Sequence, residues 1–106
     1  MIDIEKIVPE IIDRLKSLHP NKIILFGSYA NGQANDNSDI DLFLVKDIRE
    51  DQIRKYRLEA RKSLRDLIFK YQIGFDILAA SEIFLKKRKD YFYQVDILKN
   101  GKVIYE

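Results

Sequence analysis

The sequence predicts an α/β fold, a small mixed sheet with packed helices, and three observations carry that prediction. Apolar residues recur at helical spacing near the start. Three short apolar runs bounded by turn residues read as strands, and a long basic helix separates the second run from the third. All 106 residues are read as one domain, 1–106, because a chain of this size holds a single core and contains no repeat, linker or low-complexity tract.

The elements follow in order. Ile4, Ile7, Val8, Ile11, Ile12, Leu15 and Leu18 form the stripe of an amphipathic helix, which Pro9 is expected to kink or restart and His19-Pro20 to end. A strand runs from Lys22 to Phe26, followed by a short helix or turn from Ser28. The loop from Gly32 to Ser38 has turn chemistry in Asn35-Asp-Asn-Ser38. A second strand spans Asp39 to Val45. From about Arg49 to Tyr71 a basic helix carries Ile53, Tyr56, Leu64, Leu67, Ile68 and Tyr71 on its apolar side, and a third strand spans Gly74 to Ala79. Ser81 is placed to cap a short helix over Ile83, Phe84 and Leu85. A further helix runs from Tyr91 to Asn100 with Gly101 as its cap, and Val103 to Tyr105 closes the chain as a short strand.

Composition excludes several function classes. Net charge is +2, too mild to imply nucleic acid, so direct nucleic-acid binding is not expected. With no cysteine there are no disulfides, zinc–thiolate sites or cysteine nucleophiles. One histidine cannot build a histidine metal site, and His19 reads as a helix cap. No apolar stretch approaches a membrane span and the N-terminus does not resemble a signal peptide, so a cytoplasmic protein is expected. Lys86-Lys-Arg-Lys89 reads as a solvated helix end. Tyr91, Phe92 and Tyr93 read as core plus one exposed ring, although a subunit interface, and with it a homo-oligomer, stays open.

The chemistry concentrates in two blocks. Gly27-Ser28 leaves the first strand and offers backbone N–H groups and a hydroxyl to a phosphate. After ten intervening residues comes Asp39-Ile40-Asp41, whose carboxylates share one face of a strand while Ile40 and Leu42 take the other. Two carboxylates so close repel each other unless a cation sits between them. Hard Mg²⁺ answers that need, held by one or two carboxylates and the phosphates of a nucleotide triphosphate such as ATP. Asp76 interrupts the third apolar run. If that strand pairs beside the second, Asp76 completes a three-carboxylate cluster for two Mg²⁺ ions, roughly 3.5–4 Å apart in such sites, and is the best-placed general base. Tyr29 has two readings, approach to the nucleotide or packing, and nothing in the sequence marks an adenine pocket.

Gly27-Ser28, ten residues and Asp39-x-Asp41 resemble the signature of the DNA polymerase beta-like nucleotidyltransferases, and the chain length resembles their minimal, MNT branch. The resemblance extends over Phe26 to Gly32, Ser38 to Leu42, the strand with Asp76 and the closing Ile97 to Tyr105. Gly, Ser, Asp and Asp at these spacings arise by chance in about one in a thousand chains of this size. The resemblance implies the polymerase beta-like nucleotidyltransferase fold, with Gly27 and Ser28 binding the nucleotide and Asp39, Asp41 and Asp76 holding metal and performing catalysis. It also implies the antitoxin half of a HEPN/MNT toxin–antitoxin pair, which transfers AMP from ATP to a tyrosine of a HEPN-type toxin. Many relatives carry Arg at the position of Asn31, whose side chain cannot supply that charge to a triphosphate. The alternative is a non-catalytic antitoxin or binding protein that acts by stoichiometric contact, through the basic helix and the 91–99 face.

Overall fold

The computed structural model describes residues 2–106. Its elements are α1 (Ile4–Leu15), β1 (Lys22–Phe26), α2 (Ser28–Asn31), β2 (Ile40–Val45), α3 (Glu50–Ser63), α4 (Arg65–Tyr71), β3 (Phe75–Ala80), α5 (Glu82–Lys87), α6 (Phe92–Lys99) and β4 (Lys102–Tyr105). One four-stranded sheet has the order β3-β2-β1-β4, antiparallel from β2 through β1 to β4 and parallel between β2 and β3. This is the small mixed sheet expected. The parallel pair is what α3 and α4 make possible, since a crossover between parallel strands needs a dozen or more residues.

Strand periodicity divides the core into two layers. Ile23, Leu25, Ile40, Leu42, Leu44 and Ile77 pack with Ile7, Ile11 and Leu15 of α1 and with Tyr56, Ala60, Leu64 and Leu67 of α3 and α4. Ile24, Phe26, Phe43, Val45 and Ala80 point the other way, onto Leu85 of α5 and Ile97 of α6. No polar or charged residue is buried among the described residues.

Four details differ from the sequence reading. Pro9 lies inside an unbroken α1, because Ile7, Ile11 and Leu15 are all fully buried and anchor the helix on both sides of it. The long basic helix is two helices: the helical run is interrupted at Leu64, which ends α3 and opens α4 at φ −93°, ψ 0° while remaining completely buried, so the break costs no core. The second strand begins at Ile40, leaving Asp39 just outside it, and the third runs one residue further, to Ala80. The last helix is a π-helix, wider than an α-helix, over Phe92–Lys99.

Ser81 and His19 cap as expected, whereas the cap of α6 is Asn100 and not Gly101, which does not adopt the left-handed backbone that favours glycine there. Ser81 Oγ accepts from Phe84 N–H at 3.2 Å and starts α5. His19 ends the turn after α1 in the left-handed region, φ 51°, and its carbonyl accepts from Lys46 Nζ at 2.6 Å. Gly101 has no room for a side chain, since a Cβ would meet Ile24 Cγ2 at 2.6 Å and the Ile97 carbonyl. The aromatic run resolves as one exposed ring, Tyr91, and two partly buried ones. Phe92 stacks edge-to-face on Phe26 at 5.7 Å, and Tyr93 on Phe43 at 6.2 Å. Lys86, Lys87 and Lys89 are exposed, whereas Arg88 lies over the Phe84 and Tyr93 rings at 5.4 and 5.0 Å. Among the described residues no helix is long and apolar enough to cross a membrane.

Candidate active site

The antiparallel turn from β1 to β2 and the parallel pairing of β2 with β3 set the end of β1 and the starts of β2 and β3 at one end of the sheet. Phe26 is opposite Asp41 and Asp41 is opposite Asp76. In a parallel pair, residues in register share a face, so two carboxylates stand side by side on the face of Phe43 and Val45. Asp39, one strand period before Asp41, belongs to the same side.

Two glycines let the backbone come close to these acids. Gly27 adopts φ 74°, ψ −154°, and a Cβ there would lie 3.0 Å from Asp41 Cγ and closer still to Oδ2. Only glycine fits, on grounds of both backbone angle and space. Gly74, just before β3, would place a Cβ 2.6 Å from Asp39 Oδ1, and its carbonyl accepts from Ile40 N–H at 3.0 Å. The Gly27 turn thus faces Asp41, and the Gly74 turn faces Asp39.

Electrostatics register the crowding. Burial, then the charge of Asp76, then that of Asp39, push the Asp41 carboxyl up to about 6. Among the described residues no lysine or arginine pairs with Asp39, Asp41 or Asp76, although Glu10, Asp13, Asp66, Glu82 and Asp90 all have basic partners. The side chains do not converge completely: among the described residues no three His, Cys, Asp or Glu groups form a ready-made metal ligand set. Asp41 is half-buried, and Asp39 and Asp76 are exposed.

Ser28 opens α2, and the first intrahelical bonds run from Ala30 and Asn31 N–H to the Gly27 carbonyl at 3.0 and 3.2 Å. The N–H groups of Ser28 and Tyr29 precede those bonds. The Tyr29 side chain is buried in the core cluster with Ile7 and Ile40, so packing is the reading that the structure favours. Burial pushes its hydroxyl up, with Asp36 and Asp39 adding to the shift.

A cleft of about 300 Å³ adjoins this end, lined by Phe26, Gly27, Asn31, Phe92, Asp96 and Asn100. Sequence reasoning missed Asp96 and Asn100. The signal was present as two polar residues four apart on the last helix, but which side of that helix meets the sheet depends on its widened turns.

A glycine turn facing carboxylates on neighbouring strands, at the end of a small mixed sheet, is the arrangement of a nucleotidyl-transfer fold. The family described as Polymerase beta, Nucleotidyltransferase matches residues 9–106, and the chain belongs to it. Two Methanocaldococcus jannaschii proteins that carry the name "Putative protein adenylyltransferase" are similar along most of their length. One is 32% identical over 104 residues, covering 95% of this chain and 97% of that protein. The other is 31% identical over 99 residues, covering 92% and 83%. Two solved structures share the fold. A toxin–antitoxin determined with AMP-PNP gives a TM-score of 0.60 at 20% identity, covering 92% of this chain and 72% of that one. A mutant of the MntA-HpeT toxin–antitoxin gives 0.61 at 22%, covering 92% and 71%.

Proposed function

We propose that this chain is a magnesium-dependent protein adenylyltransferase, acting as one domain, 1–106, in the cytoplasm as the antitoxin of a toxin–antitoxin pair. It moves AMP from ATP to a tyrosine of a HEPN-type toxin. The observation that carries the reading is the register of Asp41 beside Asp76, with Asp39 one period away and the Gly27 turn against Asp41. Family membership, the names of the relatives and the AMP-PNP in a solved neighbour point the same way.

The donor set suits magnesium. The available donors are carboxylate oxygens on and just before adjoining strands, without basic partners, and burial, with the charges of Asp76 and Asp39 added, raises Asp41. Asp39, Asp41 and Asp76 would hold it, and when bound it would offset the charge of the triphosphate and of the departing pyrophosphate.

The chain's own groups do the rest. Backbone N–H groups of Ser28 and Tyr29 and the Ser28 hydroxyl orient the β- and γ-phosphates and meet the charge that develops on the leaving group. A tyrosine hydroxyl, with an ordinary pKa near 10, needs a base at neutral pH, and Asp76 takes its proton. The phenolic oxygen bonds to the α-phosphorus as the bond to pyrophosphate breaks. Asp76 is exposed and lies on an edge strand, so a side chain carried by another protein can reach it. An adenylyl group then adds bulk and negative charge to the toxin, which would block an RNA site that depends on positive potential.

Mass spectrometry of the toxin encoded beside this chain, after incubation with ATP and Mg²⁺, tests the reading. One adenylyl group on tyrosine is expected, and none with EDTA. A toxin that is fully inhibited yet unmodified would replace this reading with inhibition by stoichiometric contact.

A further inference from the structure

The cleft between the Gly27 turn and α6 is separate from the carboxylates but shares Gly27 with them. Its walls are of two kinds. Phe26 and Phe92, edge-to-face at 5.7 Å, make an apolar side. Asn31, Asp96 and Asn100 make a polar side. Asp96 is half-buried, and among the described residues no lysine or arginine pairs with it. Asn31 Oδ1 already accepts from Gln33 N–H at 3.1 Å, so its amide N–H groups are what remain to offer. Phe92 and Asp96 reach the cleft from a π-helix, a geometry that is rare and often found at functional sites, and Asn100 reaches it from the cap of that helix.

An apolar wall with a few directed polar groups, at the lower end of small-molecule site volumes, suits a flat heterocycle better than a phosphate. A carboxylate on the cleft wall repels phosphate and accepts hydrogen bonds, which fixes the polarity of the ligand. With the phosphates on the Gly27–Ser28 turn, as the transfer reading has them, the adjoining α6 cleft is left for the base. We propose that this cleft is the base-recognition subsite, in which the Asp96 carboxylate accepts from the 6-amino group of adenine and the Asn100 amide donates to the adjoining ring nitrogen. Hypoxanthine, whose 6-oxo group is an acceptor facing an acceptor, is disfavoured. This inference rests on the nucleotidyl-transfer reading and names the specificity determinant of that same site.

Calorimetric titration of the full chain with ATP and with ITP, both with Mg²⁺ and without a toxin, tests it. The wild type should bind ATP about tenfold tighter than ITP, the range for one hydrogen bond to a charged group. Asp96→Asn, which can present an amide to either base, should bind the two alike with an unchanged circular-dichroism spectrum. Should Asp96→Asn not fold, Asn100→Ala at an exposed position serves instead, and should weaken ATP about three- to tenfold without a change in melting temperature. Equal binding of ATP and ITP by the wild type, or a preference that survives in Asp96→Asn, overturns the base subsite and leaves the transfer reading standing. A wild type that binds neither nucleotide overturns both.

Discussion

On one face of the sheet Ile23, Leu25, Ile40, Leu42 and Leu44 are sealed beneath α1, α3 and α4, each at 3% exposure or less. On the other face Ile24, Phe26, Phe43 and Val45 are covered by α5 and α6 for part of the strand length, and the row then continues as Asp41 and Asp76. The two faces come from the same strands, one residue out of phase. The sealed face makes the register unambiguous, because a one-residue slip would turn Leu42 outward and Asp41 into the core. The other face uses that register to hold two like charges side by side, an arrangement that costs stability by itself. Packing on one face therefore supports electrostatic crowding on the other.

Changes on the two faces should separate activity from stability. The largest effect is expected from Asp39→Asn with Asp41→Asn: adenylyl transfer falls by more than about a thousandfold, while the melting temperature in magnesium-free buffer stays the same or rises, since like-charge repulsion is relieved. Labelled-AMP incorporation and a thermal melt read the two quantities, and loss of the fold would assign these acids a structural role. Leu42→Ala, one residue along the same strand, should do the reverse. Urea titration should show a loss of about 2–5 kcal/mol, with ATP affinity of the folded fraction unchanged.

Gly27→Ala breaks the link between the faces. It forces a side chain into φ 74° and against the Asp41 carboxylate, so a loss of about 1–3 kcal/mol is expected together with weaker ATP binding. A variant of wild-type stability and affinity would show that the close approach of turn and carboxylate is unnecessary.

The smallest effect is on pH dependence. Asp41 is raised in the folded state to about 6, so the folded protein holds its proton more tightly than the unfolded chain does. Its contribution to stability is therefore present below about pH 4 and is lost as pH rises to about 6. Measured without magnesium as the difference between wild type and Asp41→Asn, stability should fall across that window by about 1 kcal/mol after allowance for solvent screening. A flat difference would mean that neither burial nor the neighbouring carboxylates raise Asp41. Glu10, Asp13, Asp66 and Asp90, which basic partners hold below the usual carboxylate range, act in the opposite direction at lower pH and cancel in the difference.

Much of this was legible in the residues. Alternation in Asp39-Ile-Asp-Leu-Phe-Leu-Val45 states which side of the strand is acidic and which is core, whatever the partner strands are, because the strand period is two. Gly27-Ser28 after an apolar run states a turn at a strand end. The break at Leu64 was not legible, since the apolar stripe continues through it and Leu64 is itself part of the core. Tyr29 was ambiguous for a related reason: its position in the first turn of α2 is local, but the direction of α2 over the sheet is not.

The sequence by itself determined which segments are strand and which are helical, the phase of the acid-bearing strand and the chemical character of its end, because these depend on residues a few positions apart. Only the tertiary structure decided that β3 lies parallel and adjacent to β2, which brings Asp76 to Asp41 from 35 residues away. It alone set the Gly74 turn against Asp39 and carried Asp96 and Asn100 of the last helix to the cleft beside Gly27. These are contacts between distant segments, whose choice of neighbour is made by burying both faces of one sheet at once, and no local spacing encodes it.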